Sequence, residues 1–230
     1  MIQPVQIVFP LYPGLTPLDF AGPHQFLSRC SGCEVVVASK DAQSIQLDGL
    51  TLSGLTDLSD IEACDILCVP GGFGCLDAAE DAEFMASIRR LSARARYVTS
   101  VCTGSLILGA AGLLVGRRAA CHWAWRALLV CFGATLVDER VVVDGHLVTG
   151  GGVTAGIDFA LTLIALCFDD ARAQRLQLQF EYDPCPAFDA GHPSSAPPDI
   201  RDFVEAELSD RVSDMHRRAE QLGASLHTAR

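Results

Sequence analysis

One cysteine stands where a nucleophile would be needed. In the stretch Tyr97-Val98-Thr99-Ser100-Val101-Cys102-Thr103-Gly104-Ser105 an apolar, strand-forming run passes straight into a helix-forming run with no loop between them. A nucleophile at such a strand-to-helix elbow projects from the carboxyl edge of a parallel sheet, where open α/β folds place their sites. The turn is strained, and the small residues Gly104 and Ser105 make room for it. A thiol there meets the unpaired N–H groups and positive end of the following helix, which favour the thiolate. The bland alternative is an inert buried cysteine ending a strand. Cys102 fits it poorly because it occupies the turn, not the apolar run.

Chemistry of this kind also needs donors for developing negative charge. Pro70-Gly71-Gly72-Phe73-Gly74 ends another apolar run and can bring bare backbone amides close. The N–H groups of Gly72 and Thr103 are the expected pair. Asp19 follows a series of turn residues, and from position alone it reads as the N-cap of a first helix. His122 precedes Trp123 after an expected strand and is expected to stand behind the site, not to act as its base. Cys30 and Cys33 form an isolated C-x-x-C after a helix. A thioredoxin-like pair opens a helix after a strand, and a structural zinc site takes four ligands, so this pair is read as structural. Cys64, Cys68, Cys121, Cys131 and Cys167 lie in apolar surroundings and read as small hydrophobes. Arg89, Arg90, Arg94 and Arg96 read as a solvated helix face and its exit.

The elements that must position these groups follow from periodicity. Buried strands are expected at 5–9, 34–38, 65–69 and 97–101, and small hairpins at 45–52 and 141–149, each turning on Asp-Gly. Helices are expected at 19–27, 81–93, 103–114, 123–130 and 155–168. Strands alternating with helices imply an α/β fold, a flavodoxin-like sandwich whose mainly parallel central sheet carries helices on both faces. With no repeat and no dividing linker, residues 1–230 read as one domain. Residues 184–198 read as a Pro-rich loop and 199–230 as a C-terminal helical extension, too short for an appended helix-turn-helix.

Composition narrows the functional classes. The chain has 230 residues, half of them apolar and a fifth charged, which suits a folded domain with a substantial core. Its net charge of −11, with Lys40 the sole lysine, repels a phosphate backbone and disfavours nucleic-acid binding. The N-terminus lacks the basic start and apolar core of a signal peptide. The most apolar stretches, 106–115 and 159–168, fall well short of the roughly 20 residues that span a bilayer. A cytoplasmic location is expected, with its ten cysteines as thiols.

These residues resemble the DJ-1/PfpI superfamily over nearly the whole chain, and within it the isocyanide hydratases. The likeness rests on Leu18-Asp19-Phe20-Ala21-Gly22-Pro23-His24, Val69-Pro70-Gly71-Gly72, the stretch from Ala95 to Ser105 around Cys102, His122-Trp123, and the stretch from Thr149 to Leu161. The resemblance implies addition of water to an isocyanide, R–N≡C, giving an N-formamide without metal or organic cofactor. It makes Cys102 the nucleophile and Asp19 the general acid and base of a thioimidate pathway. Thr103 completes the elbow, and backbone at Gly151 and Val153 lies against the sulfur. The acid and N-cap readings of Asp19 are compatible. The resemblance also implies a homodimer, to which the first helix or 184–198 could contribute. Phe73, Leu76 and Trp123 could line the pocket or belong to the core. PfpI-like proteases carry histidine after the nucleophile and glutamate as the acid, where this chain has Thr103 and Asp19. The remaining alternative is a freestanding ligand-sensing or stress-response protein of the same fold, without hydratase activity.

Overall fold

A computed structural model of the chain describes residues 3–228. In chain order it forms β1 (Val5–Leu11), α1 (Pro17–Leu27), β2 (Cys33–Ser39), β3 (Ile45–Leu47), β4 (Leu50–Leu52), β5 (Thr56–Asp57), β6 (Ile66–Val69), α2 (Cys75–Glu80) and α3 (Ala82–Ser92). The elements that follow are β7 (Tyr97–Val101), α4 (Gly104–Ala110), β8 (Arg118–Ala119), a 3-10 helix (Arg126–Phe132), β9 (Thr135–Leu136), β10 (Val141–Asp144), β11 (Leu147–Gly150), α5 (Ala155–Cys167), α6 (Asp170–Gln179) and α7 (Pro198–Thr228). The main sheet has the order β10-β11-β7-β6-β1-β2-β5, and every pair in it except β10 with β11 is parallel. It is the mainly parallel α/β sheet that the alternating pattern predicts. Its central strands are covered by the surrounding helices; β6 is apolar throughout, and all four residues of β6 and of β11 are buried.

The register decides where the site forms. Val69 of β6 pairs with Ser100 of β7, and Gly150 of β11 pairs with Val101. The turns after β6, β7 and β11 therefore leave the sheet side by side at its carboxyl edge. The segment after β1 joins them. Thr16 N–H donates to Gly71 O at 2.9 Å, and Gly74 N–H donates to Gly14 O at 3.1 Å. Among the helices, α1 packs on α5 and α5 on α6, while α2 packs on α4 and α7. No described helix is long and apolar enough to cross a membrane.

Several elements depart from their expected form. α1 starts at Pro17, not Asp19, so Thr16 holds the N-cap position and Asp19 is the helix's third residue. Proline at the first position of a helix is the favoured arrangement, since the missing N–H is one the helix leaves unpaired anyway. The helix expected over 103–114 stops at Ala110, because Gly112 turns left-handed at φ +81°. The one expected over 123–130 is a 3-10 helix displaced to Arg126–Phe132 and ended by left-handed Gly133. α2 is too short, and α6 too polar, to show an apolar period. α7 forms the expected C-terminal helical extension through Thr228 and is tied to α2 where Arg218 bridges Asp77 and Glu80.

Candidate active site

Cys102 follows the last residue of β7 with φ +58°, a left-handed conformation rare for a residue with a side chain. Its N–H donates to both Gly150 O, at 3.1 Å, and Gly151 O, at 2.9 Å. Ser105 Oγ donates to its carbonyl at 3.0 Å. Held on both sides, the backbone cannot relax, and the strain is paid at the point where the thiol must project. The Thr103 N–H donates toward the sulfur. That contact favours the thiolate, as the sequence predicts, yet the net direction is opposite. Cys102 is only 4% exposed, and burial pushes its thiol well above the ordinary range, helped by the nearby Asp19 and Cys121. The helix-end argument is local, while the desolvation comes from packing that a local stretch does not reveal.

Asp19 is the polar partner of that thiol. It is fully buried, and neither carboxylate oxygen receives a conventional N–H or O–H bond from the described residues. Its polar neighbours are the Cys102 thiol and the Gly71 amide. Burial raises its pKa from 3.8 to about 7, against the lowering pull of those two groups. A buried carboxyl without a cation or a set of donors is costly for a fold to keep. The cap role drops out, because the side chain makes no capping bond.

Thr103 clamps the elbow to the neighbouring turn. Its hydroxyl accepts from Gly72 N–H at 2.8 Å and donates to Gly72 O at 3.0 Å. The Gly72 amide, expected to point into the site, is thus engaged by Thr103, and the amide beside Asp19 belongs to Gly71. A Cβ on Gly71 would lie 2.6 Å from Asp19 Oδ2 and Thr103 N, and 2.8 Å from Cys102 Cβ. Gly71 is the bare backbone around which all three site residues close. Gly71→Ala is expected to lower kcat/KM for the reaction proposed below roughly a hundredfold, the effect of a displacement of about 1 Å. The same clash should lower unfolding free energy by about 1–3 kcal/mol in a denaturant titration. Activity equal to wild type would show that this turn does not set the spacing.

Gly151 and Val153 lie beyond β11. Gly151 accepts from the Cys102 amide, and its own N–H donates to Arg140 O at 2.9 Å. Both residues line a cavity of about 420 Å³ with Cys121, His122, Trp123 and Arg126. Burial and Arg126 lower the His122 pKa to about 4, and its Nδ1 accepts from Ala124 N–H at 3.3 Å, so the ring is neutral. No histidine is among the groups that shift Cys102. Of the suspected lining residues, Trp123 faces the cavity, Leu76 is core, and Phe73 is half exposed beneath Arg211. Sequence reasoning missed Tyr12, which is buried and donates to Pro70 O at 2.8 Å, bracing the glycine turn from the β1 side. Its only signal was its place just after the end of a central strand. Among the described residues no group of His, Cys, Asp and Glu could hold a metal ion.

A family model described as DJ-1/PfpI family matches residues 5–166. The chain is 48% identical to the isonitrile hydratase of Pseudomonas putida, over 97% of this chain and 98% of that protein. A ThiJ/PfpI family protein from Pseudomonas syringae, solved by crystallography, superposes with a TM-score of 0.91 at 39% identity, covering 96% of this chain and 91% of that one. The HTH-type transcriptional regulator CdhR of Pseudomonas aeruginosa is 31% identical over 63% of this chain, which corresponds to 44% of the regulator.

Proposed function

The chain belongs to the DJ-1/PfpI family, and from that footing we propose that it is an isocyanide hydratase, a lyase that adds water to R–N≡C and releases R–NH–CHO. One observation carries the reading: the 48% identity to an isonitrile hydratase extends over 97% of this chain and 98% of that protein. The site supplies groups that the chemistry can use.

In this proposal the Cys102–Asp19 pair holds one proton near neutral pH. With that proton on Asp19, Cys102 is a thiolate. The sulfur adds to the terminal carbon of the isocyanide while Asp19 delivers the proton to the same carbon, giving the thioimidate R–N=CH–S–Cys102. The Asp19 carboxylate then takes a proton from water as its oxygen adds to that carbon, and passes that same proton to the nitrogen. Collapse of R–NH–CH(OH)–S–Cys102 breaks the C–S bond, frees the formamide and returns the proton to the pair. Gly71 and Thr103 amides face the carboxylate and the sulfur, so both stay oriented as charge moves between them. The same proposal includes a small-molecule isocyanide as substrate, a homodimer, which the family resemblance implies, and a cytoplasmic setting, in keeping with its ten free thiols.

The test is direct. Purified protein given an aryl isocyanide should convert it to the aryl formamide, followed by liquid chromatography against authentic product. Folded protein that leaves the isocyanide untouched would overturn the hydratase reading and leave a ligand-binding role for the same fold.

A further inference from the structure

Cys30 and Cys33 lie far from Cys102 in the sheet. Cys33 opens β2 and pairs with Val5, the first residue of β1, whereas Cys102 follows the last residue of β7. In a parallel sheet these are opposite edges. The order of elements, helix then strand, is the reverse of a thioredoxin-like motif, yet the local geometry brings the two thiols together. Cys33 N–H donates to Cys30 O at 3.0 Å, and Gly32 turns left-handed at φ +90°, as the third residue of a type II turn requires. A β-turn holds its first and fourth Cα atoms within about 7 Å. Disulfides bridge Cα separations up to roughly 6.8 Å. Cys30 Sγ donates to Ser31 O at 3.9 Å, within the same turn, and each thiol perturbs the titration of the other.

A cation stands over this turn. Arg172 Nη1 donates to Ser31 O at 2.7 Å, its guanidinium stacks 4.2 Å from the Phe168 ring centre, and it also hydrogen-bonds toward Cys30. We propose that Cys30 and Cys33 are a redox-active dithiol that exchanges with small-molecule disulfides, independently of Cys102. One thiolate of the pair attacks a sulfur of RSSR, breaking that S–S bond, forming a protein mixed disulfide and releasing RS⁻. The second thiol passes its proton to RS⁻ and attacks the protein sulfur, expelling the other RS⁻, which takes the proton left by the first thiol. The sum is protein dithiol plus RSSR giving protein disulfide plus two RSH. The electrostatics favour the first step. The bond from Cys33, then Arg172, hold one thiol of the pair down to about 7 against burial and Asp169. The other is pushed far up, so a single proton leaves near neutrality. Cys30 is the thiol held down and makes the attack; it is buried, and a small disulfide reaches it past the part-exposed Cys33.

Trypsin cuts after Arg29 and Lys40, so peptide 30–40 contains both cysteines and no others. Full-length protein equilibrated with excess oxidised glutathione, acid-quenched, alkylated and digested should yield this peptide two hydrogens lighter and unalkylated. Cys102→Ala protein should give the same result. Cys33→Ser should stop at a glutathione adduct on Cys30, and Arg172→Gln should slow exchange at neutral pH several-fold and shift the pH profile of alkylation upward. Two alkylated cysteines in peptide 30–40 from folded, glutathione-treated wild type would overturn the proposal. So would a link from Cys33 to Cys167, the third thiol close by.

Discussion

Cys102→Ala protein is expected to fold as the wild type does and to form no detectable formamide, a loss of roughly 10³- to 10⁶-fold in kcat. The reasons are chemical and geometric. Without sulfur there is no thioimidate, and water would have to attack the isocyanide carbon with only Asp19 to move protons. Cys102→Ser should fare little better, because a buried hydroxyl next to a carboxyl of pKa about 7 has no base strong enough to ionise it. Both variants keep the β-carbon, so the left-handed turn is strained to the same degree and thermal melting should stay close to wild type. Formamide production by Cys102→Ala within tenfold of wild type would remove the thiol from the mechanism. Intact mass measurement of wild type quenched during turnover gives an independent reading, an adduct of one isocyanide at the peptide carrying Cys102.

Much of this site can be read from sequence because parallel sheets write it locally. β7 and its elbow occupy the residues expected, since a β-branched, buried run reads as a strand and sites of open α/β folds gather at the carboxyl ends of such strands. The glycine turn after β6 could be placed beside it for the same reason. What stayed hidden depends on contacts between distant segments. Which glycine amide faces the carboxylate depends on the Thr103 hydroxyl having taken the other one, and nothing in Pro70-Gly71-Gly72 foretells it. The thiol's upward shift depends on burial and on Asp19 and Cys121, groups brought in from distant segments, which together outweigh the helix end. The position of Asp19 in α1, by contrast, was legible and misjudged: Pro17 at the first helical position already makes Thr16 the N-cap.

Asp19→Asn is expected to separate function from stability more sharply than any other substitution in the chain. Turnover should fall roughly 10²- to 10⁴-fold, because the amide can neither protonate the isocyanide carbon nor take a proton from water. Wild-type kcat/KM should rise with pH through about 7, as the pair loses its first proton and becomes able to hold a thiolate beside an acid. In Asp19→Asn that limb should disappear. Stability should move the other way. Asp19 has its pKa raised from 3.8 in the unfolded chain to about 7 in the fold, so the native state binds the proton more tightly. Its favourable contribution is complete below about pH 4 and is lost as pH climbs towards 7, where the buried carboxyl ionises at a cost. Asparagine carries no such charge. At pH 8 the variant should be more stable than wild type, on the order of a few kcal/mol in denaturant titrations, while at pH 4 the two should nearly coincide. A variant that is equally active, or no more stable at pH 8 than at pH 4 relative to wild type, would contradict this account. In the proposed mechanism the buried, destabilising carboxyl beside the strained thiol is there for chemistry, and the two titrations measure what that chemistry costs.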